Sequence, residues 1–347
     1  MKRLLLAFFS LVCVLNLSAQ DYESPVRAGA LEALIVQDQG RLKPLDTFAR
    51  SQLLLYHGKS TIEKQKAIDW LLELMIDPRK SYERKVFKVF EKEAILGLGI
   101  GLDPENVYSF MDLSRGIDEH MESLRGLSEK TPEERSRGET QLLTLYRKVM
   151  QYLALSRSLT GLRADIVVNN AELAEAIGFE PGKAYTYREF LQSREALARE
   201  LQVLQGRQEG DSINEKESAL VDLVQQLQGK MADQSADLLR LVKPQTNQQE
   251  GDWASPWGIL DGRQLSEWEN ERIKELEAIV AKFSKDSFAD VSAEVDAANA
   301  SLDARVKYDA ELVYNKGSFF KFSNVFYILA FVLLLIFYAI NVKVIRT

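Results

Sequence analysis

Histidine, the side chain that most readily moves a proton near neutral pH, occurs only at His57 and His120, and the one cysteine is Cys13. A metal centre needs several such ligands converging, and the two histidines fall in separate segments. His57 stands just before Gly58, where a cation meets the negative end of a helix dipole. His120 sits in "GIDEHMESL" among acidic neighbours. Capping or surface roles are expected of both, with axial haem ligation the chemical alternative. The haem-attachment spacing C-x-x-C-H does not occur, and a mature domain without Cys13 has no thiol for a disulfide, a Cys-His nucleophile or a thiolate metal site.

Other chemistry-bearing groups are equally sparse. "GLGIG" (97–101) lacks the Lys-Ser/Thr of a phosphate loop and reads as a turn or a close packing contact. No serine lies in a G-x-S-x-G setting. Carboxylate pairs such as Glu133-Glu134 fit the first turns of helices, where the dipole favours them. A dispersed carboxylate pair of the hydrolase kind stays open, because such pairs are not local in sequence. "DWASPWGILDG" (252–262) sets Trp253 and Trp257 four apart beside Pro and Gly. Those tryptophans either form an exposed clasp for a flat ligand or partner, or anchor the loop onto the body. A formal charge of −7 gives nucleic acid no electrostatic attraction.

The stretch richest in oriented polar groups is "VQDQGRLKPLDTFAR" (36–50). "ALIVQ" and "RLKPL" flank Asp38, Gln39 and Gly40 as a small hairpin, with Gly40 supplying a positive φ. Pro44 closes the second strand, and Asp46 caps a helix beginning at Thr47. Phe48, Leu53 and Leu54 are expected to face the core. Arg41, Lys43 and Arg50 have no local duty. They meet acidic groups elsewhere in the domain, or a partner's carboxylate or propionate, for which arginine is the better bidentate donor.

The elements that must position these groups are mostly helices. Capping-box spacings stand at Ser60/Glu63, Thr131/Glu134 (with Pro132 at the first helical position), Thr186/Glu189, Ser212/Glu215 and Ser266/Glu269. Core faces are expected at Trp70, Leu71, Leu74 and Met75, and at Leu142, Leu145, Tyr146, Val149 and Leu153. "KVFKVF" (85–90) is a further strand, expected to pair with the hairpin. Turn-rich passages at 205–212 and 243–258 mark boundaries around a Gln- and Leu-rich helix at 213–242. With 46% hydrophobic and 27% charged residues, the chain can build a sizeable core.

Both ends point to a membrane. "MKRLLLAFFSLVCVLNLSAQ" has a cationic start, an apolar stretch and a small-residue exit, the pattern of a signal peptide at 1–19 or an N-terminal signal anchor. "FSNVFYILAFVLLLIFYAINV" (322–342) carries no charge and would span about 30 Å as a helix, enough to cross a bilayer core. Lys343 and Arg346 place the 343–347 tail in the cytoplasm and the main domain outside the inner membrane. The expected fold class is therefore mainly α: a multi-helix extracytoplasmic domain with a small β-hairpin near its N-terminus and a C-terminal transmembrane helix. Its divisions are a helical domain at 21–242, a linker or loop at 243–262, membrane-proximal helices at 263–321 and the span at 322–342.

"QDQGRLKPLDTFAR" (37–50) resembles the signature that opens the large extracytoplasmic region of a subgroup of system II (CcsA/ResC-like) cytochrome c biogenesis proteins. The similarity continues through "AIDWLLELMIDPRKSYERKVFKV" (67–89). It resumes at "YDAELVYNKGSFFKFSNVFYILAFVLLL" (308–335), where a Glu, a Tyr-Asn pair and an apolar run recur in the same order; the middle, 205–246, is weakest. The resemblance makes Gly40, Arg41, Lys43, Pro44, Asp46, Thr47 and Arg50 family-motif or partner-binding candidates, and the aromatic loop adds Trp253 and Trp257. In the family this region commonly precedes a polytopic haem-handling module with a tryptophan-rich loop and membrane-flanking histidines. "GDWASPWGILDG" is not that loop, and such histidines are missing. The resemblance thus implies a split arrangement. This chain would be a non-catalytic accessory subunit without a cofactor of its own, positioning apocytochrome c or stabilising a separate polytopic haem-delivery partner. The alternative is a membrane-tethered periplasmic scaffold or sensor unrelated to haem, using the helices of 187–242 as an interaction surface.

Overall fold

The computed structural model describes residues 28–206, 213–235, 237–246, 251–285, 289–300 and 305–317, then 323, 326–335 and 337. The leader at 1–19 and the tail at 343–347 lie outside the described residues.

A 3-10 turn, Gly29–Ala33, leads into strands β1 (Ile35–Asp38) and β2 (Arg41–Pro44), paired antiparallel from Ile35↔Pro44 to Asp38↔Arg41. Gln39 and Gly40 both take positive φ, 52° and 74°, which matches the two-residue turn to the twist of the strands. Helix α1 (Leu45–His57) follows at once and ends at Gly58, whose left-handed backbone lets its N–H reach Leu54 O. A second hairpin, β3 (Thr61–Ile62) with β4 (Gln65–Lys66), precedes α2 (Ala67–Ile76) and α3 (Pro78–Glu83). Strand β5 (Lys85–Lys88) and α4 (Lys92–Gly97) come next, then β6 (Val107–Ser109), α5 (Phe110–Glu119) and α6 (Met121–Glu129). The long α7 (Arg137–Arg157) closes this half.

The second half holds the pair β7 (Ile166–Val167) and β8 (Ala184–Tyr185), with α8 (Ala171–Ile177) between them. Helices α9 (Tyr187–Gln192), α10 (Arg194–Gln205) and α11 (Glu215–Met231) follow. The short α12 (Pro256–Ile259), α13 (Glu267–Lys285), α14 (Ser292–Asn299) and α15 (Arg305–Gly317) complete it. The architecture is mainly helical with small antiparallel hairpins.

One apolar cluster runs through both halves, from Ala28 to Val295. Its centre is aromatic: Tyr56, Phe87 and Tyr152 sit with ring centroids 5.0–5.4 Å apart, and Trp70 lies 6.2 Å from both tyrosines. Such tilted and edge-on pairs add about 0.5–1.5 kcal/mol each beyond burial. Beneath them a carboxylate, Glu73, is almost fully buried yet satisfied by Gln65, Ser81 and Arg84.

Several local expectations change. Residues 85–90 do not join the first hairpin; β5 pairs with β6 and packs against the C-terminal end of α1, where His57 reaches Val86 O. Ser60 and Glu63 open no helix. Glu63 and Lys64 adopt positive φ as the turn of the second hairpin, so propensity there yields to strand pairing. The Thr131/Glu134 box forms but caps only a 3-10 turn, while α7 starts at Arg137 under a box of Ser136 and Glu139. Ser212 lies outside the described residues, and α11 is capped by Asn214 with Glu217. That helix ends at Met231, well short of 242, where Val242 instead bridges Ala254. The Thr186/Glu189 and Ser266/Glu269 boxes form as expected.

Trp70, Leu71, Leu74 and Met75 are all buried. On α7 the buried stripe is Leu143, Leu145, Val149, Tyr152 and Leu155, with Leu142, Tyr146 and Leu153 packed at its margin. Leu54 is exposed, since the core-facing stripe of α1 runs through Phe48, Ala49, Gln52, Leu53 and Tyr56. The described part of 243–262 is packed loop with the short helix α12 inside it, and Lys243, Trp253, Ser255 and Trp257 are buried.

Of the expected span at 322–342, the described residues form helix at 326–335, about 15 Å of rise. Phe326, Ile328, Phe331, Leu334 and Phe337 are exposed there. Among the described residues no helix is long and apolar enough to cross a membrane; the rest of that segment lies outside them.

Candidate functional site

Four distant pieces of chain meet at the corner where β2 turns into α1. The sequence folds this way because Pro44, the last residue of β2, fixes φ and stands as the N-cap of α1 without a backbone donor to lose. Asp46 is therefore not the cap. It sits inside the first turn, almost fully buried, where its carboxylate gains from the helix dipole. Its Oδ2 accepts from Arg50 Nε at 2.8 Å and from Asn315 Nδ2 at 3.0 Å. The same Asn315 amide lies 2.9 Å from Thr47 Oγ1.

The other motif cations are also spent internally. Lys43 Nζ pairs with Asp38 Oδ2 at 2.7 Å across the hairpin turn. Arg41 reaches Glu311 on α15 at 2.6 Å. Lys316, one turn further along α15, pairs with Glu32 in the opening 3-10 turn at 2.6 Å. Gly40 contributes only its backbone conformation. Arg41 keeps 57% of its side chain exposed, so its outer face meets solvent.

Under these polar links lies a small apolar cluster separate from the main core: Ile35, Leu42, Trp253 and Tyr308. Trp253 is drawn in by Gln37, whose Oε1 accepts from Trp253 N at 2.8 Å while its Nε2 donates to Gly251 O at 2.9 Å. Asn299, at the end of α14, closes the far side. It accepts from Ile35 N at 3.1 Å and donates to Ala33 O at 2.8 Å. Burial pushes the Tyr308 phenol above its ordinary pKa, consistent with its packing role.

The structure thus brings Gly40, Arg41, Lys43, Pro44, Asp46, Thr47, Arg50 and Trp253 together. Trp257 is elsewhere. Its ring packs 5.3 Å from Tyr187 and against Gly161, and its Nε1 donates to Arg157 O at 3.1 Å. Both tryptophans are buried, so they make no exposed clasp; each anchors a loop, because a large ring gains more from core contact than from water.

The histidines hold backbone. His57 Nδ1 donates to Val86 O at 3.1 Å and His120 Nδ1 to Gly116 O at 2.9 Å. Burial, and then the Lys59 and Lys88 ammonium groups, hold the His57 pKa below its ordinary value. Among the described residues no group of three or more His, Cys, Asp or Glu is placed to hold a metal ion. "GLGIG" is a tight contact: a β-carbon at Gly116 would come 2.7 Å from Leu98 O.

This corner joins distant segments of the chain by ion pairs and shared hydrogen bonds. Of its partners, Glu32 and Asn299 carry no individual signal in the sequence, while Gln37, Glu311, Asn315 and Lys316 stand in the segments quoted for the resemblance. For Glu311 and Asn315 the signal existed, since both stand in the second segment that carries the family resemblance; what was missing was their pairing with the first. No protein-family model matches the chain, and no curated protein matches it.

Proposed function

We propose that this chain is a membrane-tethered accessory subunit of cytochrome c biogenesis, with no catalytic residue of its own. The hairpin–helix corner sets how the helical body stands on α15 and on the apolar run that follows it. One observation carries this reading. The two segments that resemble system II biogenesis proteins lie some 270 positions apart in sequence and meet through Arg41–Glu311 and Asp46–Asn315. A signature whose members clasp each other is what a joint between body and anchor requires.

The apolar run supports the anchor. Among the described residues of 326–335 most side chains are exposed, Leu329 and Val332 being half-buried, and the run carries no charge, which suits lipid. The body then stands outside the inner membrane, where the exposed face of Arg41 is available to a carboxylate of a polytopic haem-delivery partner or of apocytochrome c. A second reading, a scaffold unrelated to haem, draws on α10, which has no buried residue and presents an exposed Val203.

The test is co-purification of the detergent-solubilised full chain, with haem staining of c-type cytochromes in cells carrying Arg41→Ala with Asn315→Ala. A multi-span haem protein in the wild-type complex, and depleted cytochromes at unchanged chain level in the variant, are expected. Recovery of the chain alone, with normal cytochromes after its deletion, rejects the biogenesis role and leaves the scaffold. Separately, protease added to intact spheroplasts should cleave the body; protection would overturn the topology.

A further inference from the structure

Where the C-terminal end of α1 and strand β5 meet the first turns of α7, there is a pocket of about 120 Å³ that the corner described above does not use. Phe87, Val89 and Leu145 give it a buried apolar lining, and the ring of Tyr56 completes that side. Its ionisable groups are Lys88, Lys148 and Glu91. Neither lysine forms an ion pair among the described residues, while Glu91 is exposed. Lys88 leans over the ring of Phe90, 5.4 Å from its centroid. The lining is amphipathic: two ammonium groups and one exposed carboxylate against a short hydrocarbon surface.

We propose that this pocket binds a short-chain organic monocarboxylate, its charged end held by Lys88 and Lys148 and its hydrocarbon tail lying on Phe87, Val89 and Leu145. The volume suits it, being room for a few waters or one molecule of similar size. A bare halide would leave the apolar lining uncovered, and a neutral molecule would leave unmatched the one positive charge by which Lys88 and Lys148 exceed Glu91. The hydroxyls of Thr140 and Thr144 both donate into their own helix, to Ser136 O and Thr140 O, so the lining donors left are the two lysines, Gln141 and the buried Tyr56 hydroxyl, which has no hydrogen-bond partner among the described residues. The neighbouring His57, inside the same α1–β5 contact, is held toward its neutral form by burial first and then by Lys59 and Lys88.

The larger cleft between α9, α10 and the start of α13 does not compete, because its arginines are committed. Arg188 is paired with Glu277 at 2.7 Å, Arg263 with Glu269 at 2.5 Å, and Arg194 donates to Gly262 O at 3.1 Å.

The experiment titrates ¹³C-labelled propionate into the purified full chain in detergent, followed by NMR line-shape and by calorimetry. Saturable one-to-one binding in the millimolar range is expected, at least tenfold weaker in Lys88→Met and in Lys148→Met. Propionamide, of the same shape without the charge, should not saturate the wild-type protein. Non-saturable propionate binding by wild type, equal saturation by propionamide, or equal affinity in a correctly folded Lys88→Met/Lys148→Met double variant overturns the proposal. The propionamide comparison uses wild-type protein alone and so stands even if a variant is unstable.

Discussion

Asn315 Nδ2 lies 3.0 Å from Asp46 Oδ2, tying the last helix before the apolar run to the first turn of the helix that follows the hairpin. Asp46 is buried and already holds Arg50, so the three side chains form one shared hydrogen-bond system. By contrast, the Arg41–Glu311 pair nearby is short but has a largely exposed arginine. The two links join the same elements yet differ in what water can replace.

Alanine at Asp46 should therefore destabilise far more than alanine at Arg41. Hydrogen bonds to a charged group are worth about 1.5–3 kcal/mol, and an exposed ion pair about 0–1 kcal/mol. Urea denaturation of the full chain checks the order. A double-mutant cycle of Asp46→Ala with Asn315→Ala should show a coupling of about 0.5–3 kcal/mol. Additive effects would mean that the two side chains do not cooperate.

Gly161 leaves no room beside Trp257. A β-carbon there would stand 3.1 Å from the Trp257 ring and 3.1 Å from Leu260 Cδ1. Gly161→Ala should cost about 1–3 kcal/mol through overpacking. Replacing Trp257 by Phe in the same chain should return part of that loss, and equilibrium unfolding of the single and double variants measures it.

Tyr56 carries a buried hydroxyl that finds no hydrogen-bond partner among the described residues, and burial pushes its pKa upward. Tyr56→Phe keeps the three ring contacts and removes an unpaired polar atom. It should stabilise the protein by about 1 kcal/mol. A lower melting temperature for the variant would show that the hydroxyl is satisfied, by a buried water for example.

Glu269 closes the capping box of α13 and takes Arg263, which together with the Ser266 N–H holds its carboxyl down to about 2 from an ordinary 4.5. A folded pKa below the unfolded one means that the unfolded chain binds the proton first as acid is added. The stability that ionised Glu269 contributes is therefore full above pH 4.5 and is lost as pH falls toward 2. The gap between wild type and Glu269→Gln in denaturation curves should narrow across that window. A constant gap would separate the cap from the charge.

Legibility varied with the range of the interaction. The first hairpin, its Gly40 turn, the His57–Gly58 helix end and the boxes at Thr186 and Ser266 depend on residues within a few positions of each other, and they formed as expected. Ser60 with Glu63 has the same spacing but lies in a tight hairpin, Thr61↔Lys66 and Ile62↔Gln65, so one local pattern displaced another. Asp46 looked like a cap because aspartate before an apolar run usually is one; Pro44 already held that position, leaving the carboxylate free to turn inward.

From its sequence alone this chain declared its helical class and the apolar character of its two ends, because composition and short-range periodicity act locally along the backbone. Only the tertiary structure decided that Arg41 meets Glu311, that Asp46 meets Asn315, and that Trp253 belongs to this corner while Trp257 does not. Those pairings join residues more than 200 positions apart. They exist because helices α14 and α15 fold back to cover Ile35 and Leu42, a burial that no local pattern encodes.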